Sequence, residues 1–175
     1  CDWSRHRGVG AIAPTSTHRV NEAHVLAAQA DISELPQIPD ASTAILKSSW
    51  SPEVVDAMAA KCADLLISLG GHAPEQHTIP GSLELPFAAQ CLIESKASPL
   101  DAVICFGVVL KGATLHFEMV SHAVTQGLLD VSLRTSTPIL NEVLAVVDLN
   151  DAAERSRDDH YNKGIEAAAA AARII

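Results

Sequence analysis

Aromatic residues are scarce in this chain: two Trp, one Tyr and three Phe make up 3% of its 175 residues. Its core must therefore be built from aliphatic side chains and alanine, in line with a hydrophobic fraction of 48%. The chain also lacks any apolar run that approaches the roughly 20 residues of a membrane-spanning helix. We therefore expect one globular folded unit in the cytoplasm, with no segment in a membrane.

Positive charge is also in short supply, because 12 Lys and Arg face 21 Asp and Glu and leave a net charge of −9. Such an acidic balance argues against binding to nucleic acid or to an anionic membrane surface. It does not exclude a small anionic substrate that a few local cations hold. The net charge is therefore compatible with small molecules as partners.

Cysteine pairs with metal-ligand spacing are absent. The four cysteines are Cys1, Cys62, Cys91 and Cys105. We expect Cys62 and Cys91 on apolar helix faces and Cys105 in a buried strand, as reduced core residues. The eight histidines form no recognisable metal set either. The sequence therefore predicts no metal site.

What the chain does contain is a continuous apolar run at residues 102–106, which predicts a strand buried on both faces. This strand should continue to about Val109, and an apolar helical pattern follows from about Thr114 to Leu129. A strand that runs into small residues and then into a helix places a loop at the carboxyl edge of a sheet. Open α/β sheets bind their ligands at that edge.

The loop at this edge has the residues of an anion site. Gly112 and Ala113 let a ligand approach the backbone closely, and Thr114 can cap the helix and offer a hydroxyl. A helix N-terminus favours an anion such as phosphate. His116 lies in the first turn, close enough to move protons on the same ligand. An ordinary turn with a surface histidine is the alternative.

Two more loops are expected at the same edge. Trp50 lies between a predicted strand and a predicted helix. Its indole is either part of the core or a stacking plate for a flat heterocycle. Residues 80–86 follow the next strand and offer backbone groups and the Glu84 carboxylate to a polar ligand. A rigid turn with Glu84 in solvent is the alternative for this loop.

The chain divides into an N-terminal arm and an α/β domain. Residues 1–42 show no sustained hydrophobic period, and we expect an arm there with a short helix around residues 20–30. Residues 43–175 alternate strands and helices, which is typical of a parallel sheet. The predicted strands are residues 43–46, 77–79, 102–109 and 138–147, and the predicted helices are residues 52–69, 87–95, 114–129, 151–155 and 165–174.

Proline and glycine mark the ends of the first predicted helix. Ser51 is its expected cap, Pro52 its first residue, and Gly70 with Gly71 its end. The last helix, at residues 165–174, consists almost wholly of alanine. Such a helix should pack closely against a sheet or another helix.

In their order along the chain, these motifs resemble the lumazine synthase family, which forms 6,7-dimethyl-8-ribityllumazine in riboflavin biosynthesis. The matching residues are Trp50, PGSLELP at 80–86, GVVLKGATLHFE at 107–118, Glu154-Arg155 and Asn162-Lys163-Gly164. The resemblance extends from about residue 43 to the C-terminus with little need for gaps. It implies a flavodoxin-like, three-layer α/β/α sandwich around a four-stranded, mostly parallel sheet.

The resemblance also implies a reaction, the condensation of 5-amino-6-ribitylamino-pyrimidinedione with 3,4-dihydroxy-2-butanone 4-phosphate. Proton transfers, loss of phosphate and ring closure involve no redox step, so no cofactor is expected. His116 stands at the position of the family's proton shuttle. The positions that bind the pyrimidinedione are Trp50, Ser82, Leu83, Glu84, Val108, Val109 and Leu110. The positions at the phosphate are Ala113, Thr114, Arg155 and Lys163.

Subunit assembly is a further implication, because an adjacent subunit supplies the family's phosphate-binding arginine. The resemblance thus implies a homopentamer, which in some members builds a larger shell. Many members have an aromatic residue and then glycine where this chain has Asn141-Glu142. That aromatic residue packs on the ring bound by the neighbour, so we expect Asn141 to weaken or reorganise ring binding.

Two alternatives to an active enzyme stay open. One is a member of the fold that binds ribityl-pyrimidine or flavin ligands and turns over poorly, and Asn141-Glu142 favours it. The other is a shell protein whose role is assembly. An activity assay separates the first hypothesis from both alternatives, and a riboflavin titration separates the alternatives from each other.

Overall fold

The computed structural model describes residues 32–175, so the helix predicted around residues 20–30 lies outside the described part of the chain. The strands are β1 Thr43–Ser48, β2 Glu75–Ile79, β3 Ala102–Leu110 and β4 Ile139–Val146. They form one sheet in the order β2-β1-β3-β4, and every neighbouring pair is parallel. The predicted α/β class is confirmed, and the sheet is wholly rather than mostly parallel.

Helices cover both faces of this sheet. They are α1 Pro52–Ser68, α2 Leu85–Ser95, α3 His116–Thr135, α4 Leu149–Glu154 and α5 Lys163–Ile174, with a 3-10 turn at Ser82–Glu84 before α2. Helices α1, α4 and α5 share one apolar cluster with the sheet, and α2 and α3 share the other. The three-layer sandwich is therefore confirmed. Within residues 32–175 no helix is long and apolar enough to cross a bilayer.

β3 lies at the centre of the core because its side chains alternate between the two clusters. Ile104 and Phe106 pack towards α1 and α5, whereas Val103 and Cys105 pack towards α2 and α3. All four are fully buried. Burial of a side chain such as Ile104 or Phe106 stabilises the fold by about 1.5–3 kcal/mol. The strand prediction from the apolar run is confirmed.

Helix α5 approaches α1 closely because small residues form its inner face. Ala167, Ala168 and Ala171 are fully buried. At Gly164 a Cβ atom would lie 1.9 Å from the carbonyl oxygen of Met58, so only glycine fits there. The close packing expected of an alanine-rich helix is confirmed.

Helix ends follow the proline and glycine signals, but two details of the prediction are wrong. α1 begins at Pro52 and ends before Gly70, whose φ of 96° favours glycine. Ser51 has a left-handed backbone, and its side chain makes no cap hydrogen bond. α3 runs on to Thr135, beyond the predicted end, because Val131 continues its buried stripe.

The cysteine prediction holds for two residues and fails for one. Cys62 and Cys105 are buried free thiols, and burial raises the pKa of both. Cys91 is exposed, because α2 faces the core through Leu85 and Ala89. The predicted core position of Cys91 is therefore wrong.

The segment just before β1 packs on the domain. Ile38 and Ala41 are buried in the cluster that contains α1 and α5. The Ile38 amide donates to the Leu69 carbonyl at 2.9 Å, and the Asp40 amide donates to the Gly70 carbonyl at 3.0 Å. The last residues of the predicted arm thus touch the domain, and the boundary at residue 42 stays a prediction.

Candidate functional site

The carboxyl ends of the four strands lie along one edge of the sheet, because all the strands are parallel. Trp50 follows β1, and the 3-10 turn at Ser82–Glu84 follows β2. Residues 111–115 lie between β3 and the first turn of α3. The three loops predicted to carry the site therefore emerge at the same edge of the fold, where ligands of open α/β sheets bind.

Trp50 and Glu84 lie side by side next to Gly81. A Cβ atom at Gly81 would lie 2.7 Å from Glu84 Oε2 and 3.9 Å from Trp50 Nε1. The Ser49 hydroxyl donates to the Pro80 carbonyl at 2.7 Å and ties the two loops together. The Trp50 side chain is 69% exposed, so within this chain it is not a core residue. An open aromatic face thus lies beside a carboxylate.

Gly107 leaves a notch in β3 that two hydroxyls enter. A Cβ atom there would lie 2.5 Å from Ser82 Oγ and 3.3 Å from Ser48 Oγ. Both serines are buried, and neither hydroxyl has a hydrogen-bond partner in the described part of the chain. The turn at Ser82–Glu84 therefore sits directly on β3, and the sequence motifs predicted neither Ser48 nor Gly107 for this role.

The three predicted pocket residues at the end of β3 differ in how exposed they are to solvent. Val108 is buried in the cluster that contains α1 and α5, Val109 is half-buried, and Leu110 is 50% exposed. Since side chains alternate along a strand, Val108 and Val109 point to opposite faces of the sheet. Leu110 has the most open side chain of the three, so the role predicted for Val108 rests on its backbone.

The loop after β3 is exposed from Lys111 to His116. His116 is the first residue of α3, and its amide donates to Thr114 Oγ1 at 3.4 Å. The Lys111 ammonium lies 3.1 Å from the Glu118 carboxylate. A hydrogen bond from its own backbone amide, together with Lys111, lowers the pKa of Glu118. An open helix N-terminus with a threonine, a lysine and a histidine nearby suits an anionic ligand.

Arg155 follows the last residue of α4 and lies half-buried near the carboxyl end of β4. Its Nη1 donates to the Asp151 carbonyl at 2.8 Å. Together with Asp151, Leu144 and Val147 it lines an open cavity of about 220 Å³. Within residues 32–175 no hydrogen bond or ion pair joins Arg155 to the exposed loop at 111–116.

In the described part of the chain, Lys163 and Asn141 likewise form no hydrogen bond or ion pair with that loop. Lys163 Nζ is 2.5 Å from Glu166 Oε2 at the start of α5. Burial raises the pKa of nearby Glu142 to about 7, although Lys163 opposes the rise. Asn141 lies near the amino end of β4, and its side chain bonds Thr125 Oγ1 at 3.4 Å and the Val143 amide at 3.1 Å. Among the described residues, therefore, no hydrogen bond or ion pair joins Asn141, Arg155 or Lys163 to Trp50, Glu84 or His116.

Metal binding has no evident place at this edge. Across the described residues, no three His, Cys, Asp or Glu side chains gather in a group that could hold a metal ion. The polar groups available are hydroxyls, a carboxylate, backbone amides and an imidazole. Such groups bind and move protons on an organic ligand.

Fold and site together define an α/β protein with an open candidate ligand site at the carboxyl edge of a parallel sheet. A family model described as 6,7-dimethyl-8-ribityllumazine synthase matches residues 40–175. The chain belongs to the 6,7-dimethyl-8-ribityllumazine synthase family, as its sequence motifs predict.

Individual relatives agree with this assignment. A 6,7-dimethyl-8-ribityllumazine synthase of Xanthomonas oryzae pv. oryzae (strain PXO99A) is 36% identical over 78% of this chain and 89% of its own length. The corresponding protein of Mycolicibacterium gilvum is 38% identical over 81% of this chain and 89% of its own length. The 6,7-dimethyl-8-ribityllumazine synthase 1 of Caulobacter vibrioides is 40% identical over 71% of this chain and 82% of its own length.

Proposed function

We propose that this chain catalyses the formation of 6,7-dimethyl-8-ribityllumazine from 5-amino-6-ribitylamino-pyrimidinedione and 3,4-dihydroxy-2-butanone 4-phosphate. The observation that carries the proposal is the shared edge of Trp50, Glu84 and the start of α3, in a chain of this family. A flat heterocycle and a phosphate both find matching groups there. The reaction is a transfer and cyclisation without redox chemistry.

The pyrimidinedione binds at Trp50 in this proposal. The exposed indole stacks on the ring, and the Glu84 carboxylate accepts hydrogen bonds from the ring edge or the ribityl hydroxyls. Backbone groups at Ser82 and Leu83 bind the same edge. Val108, Val109 and Leu110 complete the ring pocket at the end of β3.

The butanone phosphate binds at the start of α3. Backbone amides near Ala113 and Thr114 point towards the anion, and the dipole of a 20-residue helix favours it. Arg155 supplies a charge-assisted, two-pronged contact, and Lys163 adds positive potential. These cations hold the leaving phosphate as its negative charge develops.

His116 moves the protons of the reaction. Imine formation, phosphate elimination and ring closure each transfer a proton near neutral pH, where an imidazole serves as both acid and base. His116 is exposed at the first turn of α3, next to the amides that are to hold the phosphate. Nearness of the two substrates supplies much of the remaining acceleration.

The site is completed between subunits, and the assembly we propose is a homopentamer. Within residues 32–175 Arg155 forms no hydrogen bond or ion pair with the exposed loop at 111–116, which supports a contribution to a neighbour's site. Helix α3 supports assembly too, because it and the residue before it carry large apolar side chains that are at least half exposed. These are Leu115, Met119, Leu129 and Leu133. Apolar area of this kind marks an interaction surface.

Asn141 belongs to the same interface in this proposal and reaches the neighbour's ring pocket. Its side-chain bonds to Thr125 and to its own strand favour a second candidate function, a ligand-binding member with weak turnover. Assembly into a larger shell, a cytoplasmic location and the arm at residues 1–42 stay predictions.

Purified protein mixed with both substrates provides the test. We expect the lumazine, followed by its absorbance and fluorescence, and inorganic phosphate to appear in equal amounts, faster than in the mixture without protein. Light scattering on the same sample should show an oligomer. A rate equal to that of the protein-free mixture would contradict the proposal, and tight riboflavin binding in that case would favour the weak-turnover candidate. An active monomer would contradict the shared site.

A further inference from the structure

We propose that Asn162 is a positioning residue that holds Arg155 for the phosphate, an inference that rests on the proposed function. Asn162 is only 1% exposed and is among the largest fully buried side chains of the described chain. It does not reach the cavity beside Arg155. Any effect it has on the substrate must therefore pass through the backbone that it binds.

The side-chain amide of Asn162 closes the loop that follows Arg155. Its Nδ2 donates to the carbonyls of Ser156 and Arg157, both at 2.8 Å. Its Oδ1 accepts from the Gly164 amide at 2.8 Å and caps α5. Both donor hydrogens and the acceptor are thus used inside the protein, as a buried amide requires.

A backbone bond extends this closure to Arg155 itself. The backbone amide of Lys163, the residue after Asn162, donates to the Arg155 carbonyl at 2.9 Å. This bond holds the backbone of Arg155 directly. On the other side, Arg155 is held by α4 through the Asp151 carbonyl. Asn162 therefore joins the start of α5, which is packed against α1, to an otherwise irregular loop. The position of the Arg155 guanidinium therefore depends on two contacts, the backbone bond from Lys163 and the bond to the Asp151 carbonyl.

The substitution that separates this role from simple capping is Asn162→Asp. Aspartate has the same shape and still accepts from the Gly164 amide, but a carboxylate donates no hydrogen bond and a protonated carboxyl donates only one. At least one of the Ser156 and Arg157 carbonyls would then lose its donor, and the loop should shift while α5 stays capped. Val131→Ala is the control, because it also destabilises the domain but lies in the other apolar cluster.

Steady-state kinetics on the assembled protein measure the effect. For Asn162→Asp we expect the KM for the butanone phosphate, and the inhibition constant of inorganic phosphate, to rise on the order of tenfold, since misplaced binding groups lose contacts steeply with distance. The KM for the pyrimidinedione should stay within about twofold, because Trp50 and Glu84 are held by other loops. Val131→Ala should leave all three constants near those of the parent.

The same change in an Arg155→Ala background decides whether Asn162 acts through the arginine. We expect Asn162→Asp to add no further rise in either phosphate constant there, because the group it positions is gone. Equal effects in both backgrounds, or unchanged phosphate constants in the parent, would overturn the proposal. If Arg155→Ala itself leaves the phosphate constants unchanged, the proposed role of Arg155 fails instead.

A folding failure would also be informative. Should Asn162→Asp not assemble, Asn162→Ser takes its place, because serine keeps a cap acceptor in a smaller side chain. The same kinetic outcomes then apply. If neither variant assembles, Asn162 is a residue of the fold alone and the proposal is wrong.

Discussion

Gly164→Ala tests the packing of α5 on α1 with the smallest possible change. The added Cβ would lie 1.9 Å from the Met58 carbonyl oxygen and 2.7 Å from the Met58 carbonyl carbon. Carbon and oxygen in close contact are about 3.3 Å apart, so the two helices must separate locally by more than roughly 1 Å. Main-chain atoms of α1 cannot swing aside as a flexible side chain would.

The expected cost follows from what that separation disrupts. A radial gap of about 0.5–1 Å forfeits roughly a quarter to a half of the dispersion energy of the atoms involved. Met58, Ala59 and Cys62 of α1 and Ala168 of α5 are fully buried in this cluster and would lose contacts. Overpacking typically costs about 1–3 kcal/mol, and alanine recovers at most about 1 kcal/mol through its helix propensity. We expect a net loss of about 1–2 kcal/mol per subunit.

Urea unfolding at one fixed protein concentration measures this loss, since assembly makes apparent stability depend on concentration. Gly112→Ala is the matched control, because nothing lies within 4 Å of a Cβ atom at that position. The unfolding midpoint should fall clearly for Gly164→Ala and stay close to the parent for Gly112→Ala. An unchanged or higher midpoint for Gly164→Ala would refute the close approach of α1 and α5.

Three further predictions concern the site. Trp50→Ala should weaken pyrimidinedione binding by on the order of 1–3 kcal/mol, as measured by titration, because the pyrimidinedione ring stacks on the indole. The KM for the butanone phosphate should stay nearly unchanged, because that substrate does not stack there. An equal loss for both substrates would contradict this prediction. The raised pKa of Glu142, about 7 against an ordinary 4.5, means that the folded state binds its proton more tightly. Stability should therefore fall as pH rises from about 4.5 to 7. Glu142→Gln should remove that part of the slope in unfolding midpoints, and an unchanged slope would contradict it. The pH–rate profiles of the parent and of Arg155→Lys should share a limb that arises from proton transfer by the imidazole, with a higher KM for the butanone phosphate in Arg155→Lys. His116→Ala should lose that limb and roughly ten- to a hundredfold of the rate, and survival of the limb would assign the proton shuttle to another group.

Much of the fold was predictable because its signals are local. The apolar run at residues 102–106 specified a strand buried on both faces, and Pro52 and Gly70 fixed the ends of α1. Alternation of strands and helices then indicated the parallel sheet. The end of α3 was missed because polar residues in its last turns hide the stripe that Val131 continues.

The candidate site could be predicted only where the chemistry of a single residue indicates a role. Trp50 and His116 carry recognisable groups next to strand ends, so their motifs could be read directly. The contacts of Ser82 with Gly107, and of Asn162 with the loop after Arg155, join residues from different elements and have no sequence period. Such contacts depend on tertiary packing, which no local pattern specifies.

Mixed assemblies of two impaired variants test most directly whether lumazine formation takes place at a site shared between subunits. His116→Ala and Arg155→Ala chains are co-refolded in equal amounts, and separately folded oligomers mixed afterwards serve as the control. If each site takes its imidazole from one subunit and its guanidinium from the next, random assembly makes about a quarter of the sites intact. We predict recovery of about that fraction of the parent's rate of lumazine formation. If both groups act within one chain, no intact site forms, and a co-refolded sample no more active than the control would contradict the account.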